Sequence, residues 1–352
     1  MGKGSGTKQT VTIAAIAEAA GVSPGAVSFA LNGRKGVSEQ TRARILLVAD
    51  ELGWAPGAAA KALTVKKTNS FGLVLARDPK NLGVESFYMQ FIAGMESELS
   101  PRGYALLLQV APDEPSEHKT LRRWRTTRRV DGVLLVDLRV DDPRASYFAG
   151  HPEFPAVAVA DPSAAPGLTT VWTDDAEAMR EAVRALAALG HRRIARVAGL
   201  GDLAHTQIRD AAFRAEVAAL GCEGEVLRTD YSPEQGAEAT DRALASDAPP
   251  TAFVYDNDIM AVAALGVLAR AGLRVPEDVS VVAWDDSLIC RHTVPRLTAL
   301  SHDVVAFGAH AARRLFDVLG GAAPGAFLDS TPQLTVREST GPAPALQPRR
   351  RG

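Results

Sequence analysis

The sequence predicts a small all-α head joined to a larger α/β core made of two doubly wound parallel-sheet lobes. Three observations carry this. First, charge is split: residues 1–67 hold nine Lys/Arg against four Asp/Glu, net +5, while the whole chain sums to −2, leaving −7 on the rest. Second, the first 53 residues are punctuated by helix starts and stops rather than by strand-like runs. Third, from Phe71 onward short apolar runs alternate with amphipathic stretches over some 270 residues, too many for one sheet. At 46% hydrophobic and 23% charged, the composition is that of a globular chain with a sizeable core. Two cysteines, Cys222 and Cys290, exclude a disulfide scaffold. The polar start MGKGSGTKQT lacks a secretory signal, and the run Ile259–Ala269 is too short to span a bilayer. These features predict a cytoplasmic chain with free thiols and no membrane partner.

In chain order, Thr12 caps a helix over Ile13–Ala20, with Ile16, Ala17 and Ala20 at helical spacing, and Gly21 turns the chain. Ser23 caps a second helix whose first position is Pro24, where a missing N–H costs nothing; it runs to Leu31 and ends at Asn32-Gly33. Ser38 caps a third, stopped by Gly53. Ala17, Gly21 and Val27 are the small, turning and branched residues that a helix-turn-helix needs. Gly57–Leu63 is a short Ala-rich segment, expected to be helical only against a partner, since isolated helices of this length are marginal in water. Strands are expected at Phe71–Leu75, Tyr104–Gln109, Gly132–Val136, Ala156–Ala160, Thr169–Trp172, Ile194–Ala198, Thr251–Tyr255 and Ser280–Trp284. Helices are expected between them, including Phe87–Ser100, Asp174–Leu189, Ile208–Leu220 and Asp258–Ala271.

The expected division is a head at 1–56, a hinge helix and linker at 57–70, a core at 71–340 and a disordered tail at 341–352. Within the core, one lobe takes 71–161 and 300–328, and the other 168–297 and 329–340, with the polar stretch 161–167 as a crossover.

The stretch from Val11 to Asn32, VTIAAIAEAAGVSPGAVSFALN, resembles the head of the lactose/galactose repressor family of bacterial transcription factors, as does the segment from Val37 to Pro56. Further along, LGHRRIA from Leu189, DNDIMA from Asp256, VAWDD from Val282 and PRLT from Pro295 resemble that family's motifs, in its order and spacing. The resemblance implies a recognition helix at Pro24–Asn32, a hinge helix at Gly57–Leu63, and a core similar to periplasmic sugar-binding proteins. DNA contacts would come from Thr12, Ser23, Pro24, Gly25, Ala26, Ser28, Phe29, Asn32 and Thr41, with Ala60, Lys61 and Leu63 on the hinge. Leu63 would wedge into the minor groove. Pro24, Gly25 and Phe29 depart from the family's long polar side chains, and none of them makes a bidentate base contact. Readout would then lean on short polar residues, thymine methyls and DNA deformability, and Phe29 either meets the duplex or completes the small core.

In the core, the resemblance assigns effector contacts to Arg209, Asn257 and Asp285, with Asp161 in the polar crossover and His302 in the pocket lining. Arg, Asn and Asp at strand ends offer paired donors and acceptors to vicinal hydroxyls. Phe87, Trp284 and Trp172 are candidates for stacking on a sugar face. The implied partners are a pseudo-palindromic double-stranded operator, a second copy of the chain, and a small effector, with a carbohydrate favoured over a nucleobase. The expected site of action is the nucleoid. No cofactor, metal or catalytic residue is expected. The adjacent pairs Asp174-Asp175, Asp285-Asp286 and Asp141-Asp142 do not converge, because neighbours on a strand face opposite ways. The body alone would allow a solute-binding protein; the missing signal peptide and the basic head argue against that.

Overall fold

Side-chain caps decide where the head's helices begin. In the computed structural model, which describes residues 11–54, 67–77 and 86–344, α1 spans Ile13–Ala20, α2 Pro24–Leu31 and α3 Glu39–Glu51. The hydroxyls of Thr12, Ser23 and Ser38 accept from the backbone N–H three residues on, each satisfying a donor the helix cannot use. Gly21 ends α1 in the left-handed region (φ +62°), where a side chain would be strained. Ile16, Ala17, Ala20, Val27, Ala30, Ile45 and Ala49 form the small core, with Leu31, Val48 and Trp54 packed against it. The Arg42 guanidinium donates to the carbonyl of Arg34 at 2.8 Å, tying α3 to the end of α2. The expected hinge helix at 57–63 lies outside the described residues.

The described residues from Asn69 onward form a separate compact unit. Its first half runs β1 (Ser70–Leu75), α4 (Ser86–Leu99), β2 (Ala105–Val110), α5 (Glu114–Thr127), β3 (Gly132–Leu135), α6 (Pro143–Ala149), β4 (Ala156–Val159) and β5 (Thr169–Thr173). There follow α7 (Asp175–Ala188), β6 (Arg193–Ala198), α8 (Ala204–Ala219), β7 (Glu223–Arg228), α9 (Pro233–Leu244), β8 (Ala252–Tyr255), α10 (Asp258–Arg270), β9 (Ser280–Trp284), α11 (Leu288–His292) and β10 (Thr298–Ser301). The chain closes with α12 (Val304–Leu319), β11 (Ala326–Ser330) and β12 (Gln333–Thr335). Two six-stranded sheets result, ordered β11-β5-β4-β3-β1-β2 and β12-β10-β9-β8-β6-β7. Among the described residues, every strand pair is parallel except β10–β12. These are two doubly wound α/β lobes, as the alternation of runs predicts.

The lobe boundaries need correction. Residues 161–167 are not a crossover between lobes: β5 pairs with β4 in the first sheet, so the chain changes lobe after Thr173. Asp161 accepts from the Ser163 N–H at 2.9 Å and starts a single 3₁₀ turn, which returns the chain to the same sheet without a long helix. Likewise β10, to Ser301, belongs to the second sheet, so that lobe does not end at 297. The tail from 341 is not wholly disordered. Gly341 accepts from His191 at 3.1 Å, and the Ala343 N–H donates to the Leu189 carbonyl at 2.8 Å.

Helix α12 returns from the second lobe to pack on α4 of the first. The crossing is close because both helices carry glycine there. A Cβ on Gly94 would lie 2.0 Å from the Val305 carbonyl oxygen, and one on Gly308 2.1 Å from that of Phe91. Gly308→Ala should therefore destabilise the core by about 1–3 kcal/mol through overpacking. Gly266→Ala, in α10 with only the Arg270 guanidinium near at 3.5 Å, should stabilise it by about 0.5–1 kcal/mol. Thermal denaturation of the two variants checks both signs.

Candidate DNA-binding face and effector cleft

On α2, Val27 and Ala30 face the head's core, leaving Pro24, Gly25, Phe29 and Asn32 exposed. Phe29 is 41% exposed, so it does not complete the small core; its ring lies against Gly36. Ala26, Ser28 and Thr41 are half-buried and Thr12 and Ser23 exposed. Several of the polar candidates are already engaged locally. Thr12 and Ser23 cap helices, Thr41 Oγ1 lies 2.8 Å from Ser38 Oγ, and the Asn32 amide donates to the Ser28 carbonyl at 2.8 Å. Ala60, Lys61 and Leu63 lie outside the described residues.

Between the two lobes lies a cleft of about 160 Å³, at the carboxyl ends of the strands, where such sheets bind ligands. Arg209, Asn257, Asp285, Asp161, Phe87, Trp284, His302 and Trp172 all line it. Arg209, on α8, donates to Asp175 at 2.8 Å, approaches Asp256 at 3.5 Å, and lies 3.6 Å over the Trp284 ring. Trp284 is 1% exposed, so it supports this guanidinium rather than presenting an open stacking surface. Asp256 is fully buried. It accepts two bonds from Arg196, at 2.5 and 3.0 Å, and one from the Gly199 N–H at 2.9 Å. Burial pushes its pKa up, but Arg196 and Arg209 outweigh that and hold it below the ordinary carboxylate value.

Asn257 caps α10: its Oδ1 accepts from the Met260 N–H at 2.9 Å and its amide donates to the Tyr231 carbonyl at 3.0 Å. Asp161 is half-buried and holds both the N–H and the hydroxyl of Ser163. Asp285 leaves the end of β9 with φ +65°. Phe87 is half-buried, 5.8 Å from the Phe91 ring. His302 packs edge-on to Phe307 at 5.7 Å.

Sequence reasoning missed part of the lining. Arg77 follows β1 and pairs with Asp137, just past the end of β3, at 2.8 Å; Asp137 also accepts from the Tyr88 hydroxyl. Arg77 stacks 4.9 Å over Tyr231 of the second lobe. Tyr231 bonds His205 at 2.9 Å and Thr206 at 3.0 Å. The signal was available, since both Arg77 and Asp137 follow the carboxyl end of an expected strand. At one rim the lobes touch directly: Arg139 pairs with Asp202 at 2.6 Å, and the Ala204 N–H donates to the Leu138 carbonyl at 2.8 Å.

Burial, with Arg209 nearby, pushes His205 down to about 4, and burial also lowers His302 and His191. A folded-state pKa below the unfolded value means that the unfolded chain binds more protons. The stability these neutral imidazoles contribute is full above about pH 6.5 and is lost as pH falls toward 4. The melting temperature should fall across that window, and His205→Phe should flatten part of the decline.

Among the described residues, no single helix is long and apolar enough to cross a membrane, and no cluster of His, Cys, Asp or Glu is placed to hold a metal ion. A helix-turn-helix unit followed in the same chain by a two-lobed cleft domain defines a DNA-binding regulator with a small-molecule site. Comparison with known proteins agrees. Residues 12–57 match the family described as bacterial regulatory proteins, lacI family, and residues 183–340 match a periplasmic binding protein-like domain. The chain is 34% identical to the HTH-type transcriptional regulator CelR of Thermobifida fusca, over 88% of this chain and 92% of that one. It is 32% identical to the regulator AglR of Rhizobium meliloti, over 96% of both. Among solved structures it resembles a CelR–cellobiose complex (32% identity, TM-score 0.71, 94% of this chain and 99% of that one). It also resembles the Lac repressor dimer bound to operator (26% identity, TM-score 0.84, 95% of this chain and 100% of that one). The chain belongs to the lacI family of bacterial regulatory proteins. It is a transcriptional regulator rather than an enzyme, and it acts on DNA in the cytoplasm.

Proposed function

We propose that the chain is a repressor acting as a homodimer on a pseudo-palindromic operator, with nucleoid DNA as its site of action and a carbohydrate as its effector. The observation that carries the effector reading is the cleft itself. Aspartates at strand ends and Arg209 on α8 sit beside aromatic rings, which suits vicinal hydroxyls and the apolar face of a pyranose. The solved relative with cellobiose supports the same class.

On the head, base readout would lean on Ser23, Ala26, Ser28 and Asn32, with Pro24, Gly25 and Phe29 also facing the major groove. Thr12, Ser28, Thr41, Arg34, Lys35 and Lys61 would hold phosphates, Ala60 would meet the DNA from the hinge, and Leu63 would wedge the operator centre. Phosphate contacts position the head without specifying sequence. In the cleft, Arg209, Asp285, Asp161, Asn257 and His302 would engage the sugar's hydroxyls, Phe87 would stack on it, and Trp284 would brace Arg209. The effector acts by its differential affinity for two packings of the lobes. The rim contacts Arg139–Asp202 and Leu138–Ala204 are where those packings would differ.

Nuclease footprinting of the DNA flanking the chain's own gene, with and without cellobiose, tests the whole reading. A protected palindrome with half-sites about one helical turn apart is expected, and its absence overturns the proposal. Operator affinity should fall about a thousandfold or more between 50 and 200 mM salt. Leu63→Ala should weaken operator binding by about tenfold or more, since the bend it supports repays unstacking. Arg209→Lys keeps the charge and loses the planar fork, and should cost the sugar about tenfold in affinity by calorimetry.

A further inference from the structure

The cleft is strongly unbalanced in charge. Among the described residues its lining holds seven aspartates and two arginines. Both arginines are committed. Arg209 is held by Asp175, Asp256 and the Trp284 ring, and Arg77 by Asp137 and the Tyr231 ring. The lining histidines add no positive charge near neutral pH, because burial keeps His205 and His302 below their ordinary value. A carboxylate or phosphate entering here would face a surplus of like charge. To gain a cation it would have to break an existing buried pair and leave an aspartate uncompensated.

A second observation is independent of charge. The indole Nε1 of Trp172 and the Nε2 of His302 are buried with no hydrogen-bond partner among the described residues, and both residues line the cleft. Buried polar atoms are normally satisfied, and each exception calls for a reason. Trp172 lies on β5, two residues before the first change of lobe, and His302 lies in the second change of lobe, between β10 and α12. The indole can only donate, and the imidazole nitrogen takes either role according to its tautomer. A hydroxyl group accepts and donates at once and carries no charge, so it answers both atoms.

We infer that the effector is an uncharged sugar, and that Trp172 and His302 are the residues that select its hydroxyls, to the exclusion of uronates and sugar phosphates. The inference rests on the carbohydrate reading and narrows it. It places specificity in two residues at the junctions where the lobes are joined, so hydroxyl recognition and lobe packing are read by the same side chains.

The test uses the full-length protein. Thermal melting is followed with cellobiose, maltose and glucose, with glucuronate and glucose 6-phosphate, and with guanine and hypoxanthine. Binding of any compound that raises the melting temperature is then measured by calorimetry. At least one uncharged sugar should bind, and its acidic counterpart should bind at least about tenfold more weakly. Trp172→Phe, which keeps a ring and removes the donor, should weaken the sugar by about tenfold. His302→Phe should do the same, with the sugar-free melting temperature reporting the fold of each variant. A deoxy analogue lacking the recognised hydroxyl should be discriminated by the wild type and not by the matching variant, an effect that a merely structural role would not produce. An acidic sugar that binds as tightly as its neutral counterpart overturns the inference and leaves the carbohydrate reading standing. Binding by a purine alone, or by nothing in the panel, overturns the carbohydrate reading and the inference with it. Unchanged affinity in both variants removes Trp172 and His302 from the site.

Discussion

The core depends on a buried carboxylate, that of Asp256. It sits just past the end of β8 with its side chain fully shielded from water. An ionised group in that position is costly unless paired and hydrogen-bonded. Asp256 meets both conditions. Arg196 reaches it from β6, the Gly199 N–H closes the turn that follows, and Arg209 reaches it from α8. Arg196 is itself fully buried and also bonds Asp210 on α8 at 2.9 Å. One ion network thus fixes two strands, a turn and a helix of the second lobe, and Arg209, which it holds, is a wall of the cleft. The position of that wall is therefore set by the fold's own electrostatics before any ligand enters.

The first lobe has its own version of this arrangement. Asp137 turns out of β3 with φ +49°, a conformation that few side chains adopt, and is held by Arg77 and Tyr88. Asp285 turns out of β9 with φ +65°. Backbone held in sparsely populated regions tends to gather where geometry serves a ligand, and both residues line the cleft. Arg77 over Tyr231 carries the first lobe's network onto the second. The two sides of the cleft are thereby in direct contact through one cation–π pair.

How much of this could be read from the chain followed from how local each cause was. The boundaries of α1 and α2 came out as observed because Thr12, Ser23-Pro24 and Gly21 act within three residues of themselves. The lobe change was misplaced because Asp161–Gly167 is polar and broken by two prolines, which suits a link between lobes as well as the turn it forms. Helix α12 went unread, although Val304, Phe307, Ala311 and Leu315 follow helical spacing after the Asp303 cap. What makes it belong to the first lobe is Gly308 meeting Phe91 and Gly94 meeting Val305, contacts over 200 residues apart in sequence. The family resemblance pointed to Arg209 and Asp285, and both line the cleft. It did not reveal that the Asn257 amide is engaged at both ends as a helix cap, or that Arg209 covers Trp284. Such facts belong to packing, and spacing does not carry them.

The split of charge takes on a second meaning from the structure. Residues 68–348 carry −10 once the basic tail is set aside. As a property of sequence, that acidity says only that this part of the chain adds nothing to phosphate binding. Among the described residues, seven of its aspartates line the cleft, where low polarity and poor screening make a charge count for far more than on the surface. A body that merely avoided DNA could carry its acids anywhere on its exterior. Placed around a cavity whose two arginines are already paired, they act on whatever enters. On the proposed reading, the same negative balance that leaves DNA binding to the head also disfavours anions in the core's cleft.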